Sequence, residues 1–597
     1  MSAYVAPVQD MRFVLEEIAG LGEVAGLPGG ENAAPDVVAQ VLEEAGKFAS
    51  EVLAPLNQIG DVEGAVLENG AVRTAPGFKD AYRQWIAAGW NSVPFDPEHG
   101  GGGLPWMVAT AVNEMWQAAN MSFALMPLLT HGAIELLAAH GSQEQKRLYL
   151  DKMIAGEWGG TMNLTEPGAG SDVGALRTRA MPADGHHKIV GQKIFITYGE
   201  QDWTDNIVHL VLARTPDAPP GPKGISLFIV PKFAVEPDGR LGSRNDLRCV
   251  SLEHKLGINA SPTCVMAYGD NGGATGFLVG EENHGLEYMF TMMNNARLNV
   301  GLQGVAIADR AYQQARDFAR TRVQSRELGS PDPNPAPIIR HPDVRRMLLA
   351  MRAQSEAARA LAYSAMASLD LAKLHSNPAE RHRHQARVDL LTPVVKAWST
   401  DVGVEVASLG IQVHGGMGFI EETGAAQHYR DARIAPIYEG TNGIQANDLV
   451  FRKLGRDRGA AASAFFTEVA AFDRELAAAP GDDMAAIRRQ LAAGLTPLRQ
   501  ATDWLVATLA QEPRSAAAGA ATYLRLFGLV AGGYLMAKGA RAAQAALAAG
   551  GGDSGFYEAK IASARFFADH LLAQAPSLLH PIVAGAASVL SFREDRF

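Results

Sequence analysis

Cysteine is scarce in this chain: among 597 residues only Cys249 and Cys264 occur. Two thiols exclude a disulfide framework and form no metal-ligand cluster, so a reducing compartment is favoured and no metal is expected. The N-terminus lacks a basic segment followed by an apolar core, and no secretory signal is expected. Long apolar runs are missing too. None approaches the ~20 residues a spanning helix needs; residues 524–536 come nearest, and glycines interrupt them. A soluble, cytoplasmic protein without a membrane span is the expectation. Positive charge is not in excess: a net charge of -11 argues against general nucleic-acid binding. No Gly-x-Gly-x-x-Gly follows a strand-like run and no Walker sequence occurs, which excludes the common nucleotide fingerprints.

What the chain does have is core material. Hydrophobic residues make up 47% and charged residues 20%, enough for about four domains or fewer large ones. Val37, Val38, Val41, Leu42, Ala45, Phe48 and Ala49 recur at three- and four-residue spacing, the period of one helix face. That texture runs to about 158, broken by the turn-rich stretch 94–103. Residues 188–197, 207–213 and 224–230 are short, β-branched and bounded by Gly, Pro or Asp, and read as strands. Helices resume near 286. The alternating prolines of 330–337 remove donors and favour extended backbone, so a loop is expected there. Helix returns at 342–374 and 390–409. A hinge at 455–461 leads to an alanine- and leucine-rich segment of balanced charge, expected to form antiparallel helix pairs. The expected division is 1–34 (N-terminal segment), 35–158 (α-helical), 159–285 (β), 286–454 (α bundle) and 455–597 (C-terminal helices).

Two local patterns carry chemistry. The first is Met162-Asn163-Leu164-Thr165-Glu166-Pro167-Gly168-Ala169-Gly170-Ser171-Asp172. Its small residues expose N–H groups and hydroxyls suited to a cofactor's polar ring edge or phosphates, though alone it could be any turn. The second surrounds Glu439, a lone carboxylate between Tyr438 and Gly440 after the apolar Ile434-Ala435-Pro436-Ile437. Desolvation raises such a carboxylate toward neutrality and glycine lets a ligand approach the backbone, so a general base fits. An acid at a helix N-terminus fits the same residues, and on residue types alone it is the commoner reading. His414, in Gln412-Val413-His414-Gly415-Gly416, suits a base or, more ordinarily, a structural histidine in a glycine turn.

In order and approximate spacing, four motifs resemble acyl-CoA dehydrogenases over about residues 35–454: 165–172, Lys193-Ile194-Phe195-Ile196-Thr197, 412–418 and Tyr438-Glu439-Gly440-Thr441-Asn442-Gly443-Ile444-Gln445. The opening Tyr4-Val5-Ala6-Pro7-Val8, the proline-rich insertion before His341 and the extra C-terminal segment resemble that family's long bacterial subgroup. The resemblance implies a mainly α fold with a central β domain: an α domain, a β-barrel-like domain and a four-helix bundle, followed by a C-terminal helical bundle. It implies FAD as cofactor and an acyl-CoA as substrate. Met162, Asn163, Leu164, Thr165, Gly170 and Ser171 then line the flavin, with Phe195, Ile196 and Thr197 on a strand beside it. Phe195 stands where the family often has Trp, keeping the aromatic face and losing the indole donor. Arg322 matches the arginine that grips the pyrophosphate. Gln412, Val413, His414, Gly415 and Gly416 match a segment that reaches a neighbouring subunit's FAD, which implies a homodimer or a dimer of dimers. Thr441 and Gly443 match further flavin contacts. Ser171, Asn294, Arg297 and Gly440 match substrate-side positions, with Asn294 replacing the usual Asp.

The implied reaction is α,β-dehydrogenation of the thioester to the trans-2-enoyl-CoA in fatty acid β-oxidation, with electrons passed to electron-transferring flavoprotein. Its difficulty is a weakly acidic C–H beside a carbonyl. Removal needs a carboxylate over the α-carbon and donors aimed at the thioester oxygen. Glu439 matches the family's base. Some relatives carry the base one residue before Arg297, a position held here by Ala296, which has no acid to offer. A fatty acyl-CoA is the default substrate, and 3-methylmercaptopropionyl-CoA, with its thioether, is the alternative. An oxidase would differ in its electron acceptor. A DNA-binding alkylation-defence homologue would need a basic face, for which the balanced C-terminal segment gives no support.

Overall fold

The computed structural model describes residues 4–597, so the first three residues of the expected N-terminal segment lie outside it. The chain forms two compact units. One holds Lys47–Leu104 and Met115–Asn299; the other holds the residues up to Gly46, Pro105–Glu114 and Val300–Phe597. The second unit therefore takes in both the bundle and the C-terminal segment.

In the first unit Met121–His140 (α1) is apolar on nearly every side and almost wholly buried, with Asn120 capping it through Phe123 N–H at 3.0 Å. This helix, like Pro513–Ala549 of the other unit, is long and apolar enough to cross a membrane. Yet 89% and 83% of their most apolar stretches are buried within the protein, as core helices require. A scan for uninterrupted apolar runs misses α1 because His131 and Glu135 break it.

Eight strands form one sheet: β1 (Trp158–Asn163), β2 (Arg179–Ala183), β3 (His186–Thr197), β4 (Asn206–Ala213), β5 (Ser226–Pro231), β6 (Leu247–Leu252), β7 (Thr263–Tyr268) and β8 (Ala274–Leu278). Their order is β6-β7-β3-β8-β5-β4-β1, with β2 also on β3. Only β1 and β4 pair in parallel. The three strands expected from sequence are β3, β4 and β5, and the latter two are buried along their whole length. An aromatic cluster joins helices to sheet: Trp203 lies 5.2 Å from Tyr82 and 5.1 Å from Phe123. Its polar ends are satisfied, Tyr82 O–H donating to Gly156 O (2.8 Å) and Trp203 Nε1 to Thr74 Oγ1 (2.7 Å).

Gly285–Thr321 (α2) belongs to the second unit from Val300 onward, with Pro342–Leu374 (α3) and Pro378–His414 (α4). Helix α4 begins earlier than its apolar period suggests, because Asn377 caps it through Ala379 N–H (2.9 Å) and Pro378 opens it. Helices α2 and α4 meet at glycines. A Cβ on Gly304 would lie 2.1 Å from the Ser399 carbonyl oxygen, so no larger residue permits this approach. The proline-rich 330–337 is not wholly loop: Pro335–Pro337 pairs with Val323–Arg326, an edge position that prolines tolerate.

Asn442–Asn447 (α5) follows, then Ala460–Ala478 (α6), Asp482–Thr508 (α7), Pro513–Ala549 (α8) and Ser554–Phe566 (α9). The expected hinge narrows to Arg458 and Gly459, both left-handed at φ 54° and 77°, after helix that continues through Gly455–Asp457. Helix α8 lies against α4, where Trp398 covers Gly528 and Gly532; a Cβ there would meet the indole at 2.3 and 2.7 Å.

A buried charge cluster runs through this unit. Arg359 of α3, 2% exposed, reaches Glu114 (2.5 Å), Asp10 (2.6 Å) and Asp309 (3.2 Å). Tyr363 O–H also donates to Glu114 (2.7 Å). Lys560 of α9 lies 2.6 Å from Asp10 and 3.1 Å from Glu356. Burial pushes Asp10 up, but Lys560 and Arg359 outweigh it and hold the carboxyl at about 2. At Glu114 burial prevails over Arg359 and the carboxyl is raised.

Arg359→Met is expected to lose about 3–5 kcal/mol of stability, because buried carboxylates are left without their cation. Chemical denaturation followed by circular dichroism measures it, and an unchanged midpoint would contradict it. Acid sensitivity is expected from the first unit. Burial lowers His131, hydrogen-bonded to Asn91 (3.2 Å), to about 4, and burial with the Lys232 and Arg244 charges lowers His209 to about 3. Unfolding releases both to protonate near 6.5. Their contribution is therefore full above pH 6.5 and is lost as pH falls from 6.5 through 4 and 3, about 1.4 kcal/mol per pH unit for each. Melting temperatures from pH 7 down to 4 should fall, and less steeply in His131→Gln.

Candidate cofactor and active site

Strand β3 carries a bulge against β7: the pairing jumps from Ile196–Cys264 to Lys193–Met266. Phe195 sits in it at φ 60° and is 57% exposed. A left-handed L-residue costs about 1–2 kcal/mol, and a bulge re-aims the side chain it carries. Here an aromatic face is turned outward. The loop after β1 is latched beside it. Ile194 N–H donates to Thr165 O (2.9 Å), and Lys193 Nζ donates to Leu164 O (2.9 Å) and pairs with Glu166 (2.8 Å). Glu166 also accepts from Arg177 N (2.6 Å), Thr178 N (3.0 Å) and Thr178 Oγ1 (2.5 Å). Thr161 Oγ1 donates to Thr197 O (2.9 Å). These bonds bring Met162, Leu164, Thr165, Phe195 and Thr197 together, with Gly170 and Ser171 exposed farther along the loop. Burial lowers Lys193 to about 8 against the pull of Glu166; at Glu166 burial raises the carboxyl but Lys193 prevails and lowers it.

Two residues expected on the flavin are turned inward. Asn163 is fully buried, accepting from Tyr268 O–H (2.7 Å), because strand alternation sends it to the face opposite Met162. Ile196 packs into the sheet's core. Only their backbone is left to face a ligand. The outward aromatic face, beside hydroxyls and open glycines, fits a planar ring with a polar edge. Farther along this unit Asn294 is exposed, Ala296 is buried, and Arg297, 5% exposed, lies over the Phe290 ring at 5.9 Å.

In the other unit Glu439 is half-buried at φ 56°, followed by Gly440 at φ 84°. It does not cap a helix. Thr441 does, its hydroxyl accepting from Ile444 N (3.2 Å) at the start of α5. The turn is anchored on several sides: Tyr438 O–H donates to Gln303 Oε1 on α2, Asn442 N–H to Pro436 O (3.0 Å), and Gln445 Nε2 to the Glu439 and Gly440 carbonyls (3.3 Å each). Gly443 is exposed on the first turn of α5. Arg322 is exposed just past the end of α2.

At the end of α4, Gln412, Gly415 and Gly416 are exposed and Gly415 is left-handed at φ 61°. Val413 and His414 are buried, contrary to a ligand-facing role for their side chains. His414 Nδ1 donates to Gly410 O (2.7 Å), the ring stacks on Phe318 (4.4 Å), and burial lowers its pKa. It is a structural histidine. Residues that sequence reading passed over are Glu166, Lys193 and Thr178 in one unit and Gln303, Lys396 and Asp401 in the other. Each acts through a partner far away in the chain, and no local pattern marks such pairs.

Comparison with known proteins places the whole chain, domain by domain. Family models of the acyl-CoA dehydrogenase N-terminal, middle and C-terminal domains match residues 37–157, 161–287 and 283–454, and one described as acetyl-CoA dehydrogenase C-terminal like matches 465–593. A 3-methylmercaptopropionyl-CoA dehydrogenase of Ruegeria pomeroyi is 52% identical, over 96% of each chain. A butyryl-CoA dehydrogenase of Syntrophomonas wolfei is 36% identical over 92% of each. In fold, the chain resembles the crystal structure of Caenorhabditis elegans ACDH-11 in complex with C11-CoA, with a TM-score of 0.76 at 19% identity, covering 99% of this chain and 96% of that one.

The latch predicts a binding phenotype. Glu166→Gln and Lys193→Met should each weaken flavin retention about 10-fold or more, the worth of a charged hydrogen bond. Flavin absorbance per chain after gel filtration reads this, with circular dichroism checking the fold; full retention in both variants would contradict it.

Proposed function

The chain belongs to the acyl-CoA dehydrogenase family and is a FAD-dependent oxidoreductase, and on that premise we propose that Glu439 is its catalytic base. The observation that carries this is a carboxylate held in left-handed backbone by a turn anchored to the bundle, outside any capping role. Strain of that kind is kept only where surrounding structure enforces it, and it clusters at working sites. Glu439 takes the α-proton of the acyl thioester, while its backbone N–H, by family analogy, polarises the carbonyl oxygen. When bound, FAD supplies the acceptor for the two electrons that leave the β-carbon with its hydrogen, and the product is the trans-2-enoyl-CoA. By family analogy Phe195, Thr197 and the 164–171 loop would hold the flavin ring, and Arg322 would serve the pyrophosphate. Arg297 serves the substrate side, and Ala296 leaves Glu439 without a rival carboxylate at that position.

The substrate proposed is 3-methylmercaptopropionyl-CoA, supported by 52% identity across 96% of both chains. Short straight-chain acyl-CoA oxidation is the second reading, supported by the butyryl-CoA dehydrogenase at 36% identity. The enzyme acts in the cytoplasm as a homodimer or dimer of dimers and passes its electrons to an electron-transferring flavoprotein. Oxygen uptake at the rate of dye reduction would instead mark an oxidase.

Glu439→Gln should retain FAD and lose at least ~100-fold in turnover, the low end of general-base contributions. Flavin reduction near the wild-type rate would refute the assignment. A panel of acyl-CoAs from butyryl to palmitoyl with the methylthio substrate, read by a dye acceptor, decides chain length through kcat/KM.

A further inference from the structure

We propose that Lys396 is a positioning residue for the base, fixing through Asn442 the turn that carries Glu439. The proposal rests on Glu439 being the base. Lys396 lies on α4 and is completely buried, and its Nζ donates to Asn442 Oδ1 at 2.9 Å. Asn442 opens α5, three residues after Glu439. Its Nδ2 donates to Asp401 Oδ1 (2.7 Å), the Ala397 carbonyl (3.1 Å) and Thr400 Oγ1 (3.1 Å), all on α4. Its backbone N–H reaches back to Pro436 O (3.0 Å), ahead of Glu439. One residue thus closes the turn and bolts it to α4.

The chemistry of the clamp is directional. A carboxamide is negative at oxygen and positive at nitrogen, and here the ammonium of Lys396 meets the oxygen while the carboxylate of Asp401 meets the nitrogen. Both bonds are charge-assisted, and the amide cannot flip without setting like against like. Apolar packing would allow the turn to slide; this pairing does not. The platform is firm as well. Trp398, two residues beyond Lys396, covers Gly528 and Gly532 of α8, where no Cβ fits. Glu439 needs such restraint because left-handed backbone is disfavoured for a glutamate, and a relaxed turn would carry its carboxylate away. A displacement near 1 Å at a reacting group is enough for a loss of order 100-fold.

The test uses the FAD-loaded enzyme and the three variants Lys396→Met, Asn442→Ala and the double. Single-turnover flavin reduction by the best acyl-CoA is followed by stopped flow, with and without deuterium at the α-carbon, across the pH profile. Each single variant should reduce its flavin at least ~10-fold more slowly, with FAD content and acyl-CoA affinity unchanged, a larger α-deuterium isotope effect and a displaced pH profile. The double variant should be no slower than the slower single, because the two residues act as one device. Wild-type rates with an unmoved pH profile would overturn the proposal, as would losses that add, or slowing that follows FAD loss alone. If Lys396→Met does not fold, Asn442→Ala and Asn442→Ser on the surface side of the clamp decide by the same criteria. Should Glu439→Gln reduce its flavin with acyl-CoA near the wild-type rate, the reading of Glu439 fails instead, a result distinct from any of these.

Discussion

The unit that carries Glu439 depends on one buried guanidinium. Arg359 draws carboxylates from the N-terminal segment (Asp10), the 105–114 piece (Glu114) and α2 (Asp309), while Lys560 brings α9 to the same Asp10. Ions in a low-dielectric interior are costly unless each meets its counter-ion, so the cluster tolerates only one register of these elements. A leucine-rich interface of equal area would hold them together without specifying which turn faces which. With α2 and α3 thus fixed, and α4 held against α2 at Gly304, the two anchors of the Glu439 turn follow: Gln303 on α2 and Lys396 on α4. Charges remote from that turn therefore set where Glu439 can stand.

The C-terminal helices enter the same logic. They carry no catalytic constellation, yet α8 supplies the glycines that admit Trp398, α9 supplies Lys560, and Arg525 adds its positive charge near Asp401. The segment is a backing for α4 as much as a domain of its own. This explains why it shares one compact unit with the bundle instead of forming another.

Much of the architecture was legible because it is periodic. Short β-branched runs bounded by Gly, Pro or Asp located the strands β3, β4 and β5 to within two residues, and the helix 342–374 was read to its ends. What escaped was non-periodic. The start of α4 depended on an Asn-Pro cap rather than on apolar spacing, and the length of α1 was hidden by a histidine and a glutamate that burial accommodates. At the candidate site, residue types alone favoured a helix-terminus acid at Glu439, the resemblance supplied the other reading, and neither gave side-chain orientation. Asn163, Ile196, Val413 and His414 turn out to have buried side chains. Alternation along a strand and the inward face of a helix decide this, and a motif quoted as a continuous run conceals it. Glu166 was quoted in such a run as a family residue, while its actual partner, Lys193, stood unnoticed in the next one.

Both functional segments solve one mechanical problem in the same way. Phe195 and Glu439 each hold left-handed backbone, which an L-residue adopts against its own preference. Each lies close to a lysine with no exposed surface: Lys193 grips Leu164 O and Glu166, and Lys396 grips Asn442. A buried ammonium is a compact charge with three donors that must all be satisfied, so it selects the one loop conformation that presents enough acceptors. Burial disfavours the ammonium of Lys193, lowering it to about 8, and the pairing with Glu166 opposes that cost. An arginine fork would demand planar, two-point acceptors, and a neutral donor would release its partner at little cost. Lysine suits a backbone carbonyl or a lone amide oxygen, which is what strained turns expose. The strain at each working residue and the desolvated cation beside it are therefore two halves of one arrangement, and removing the cation should free the turn before it unfolds the protein.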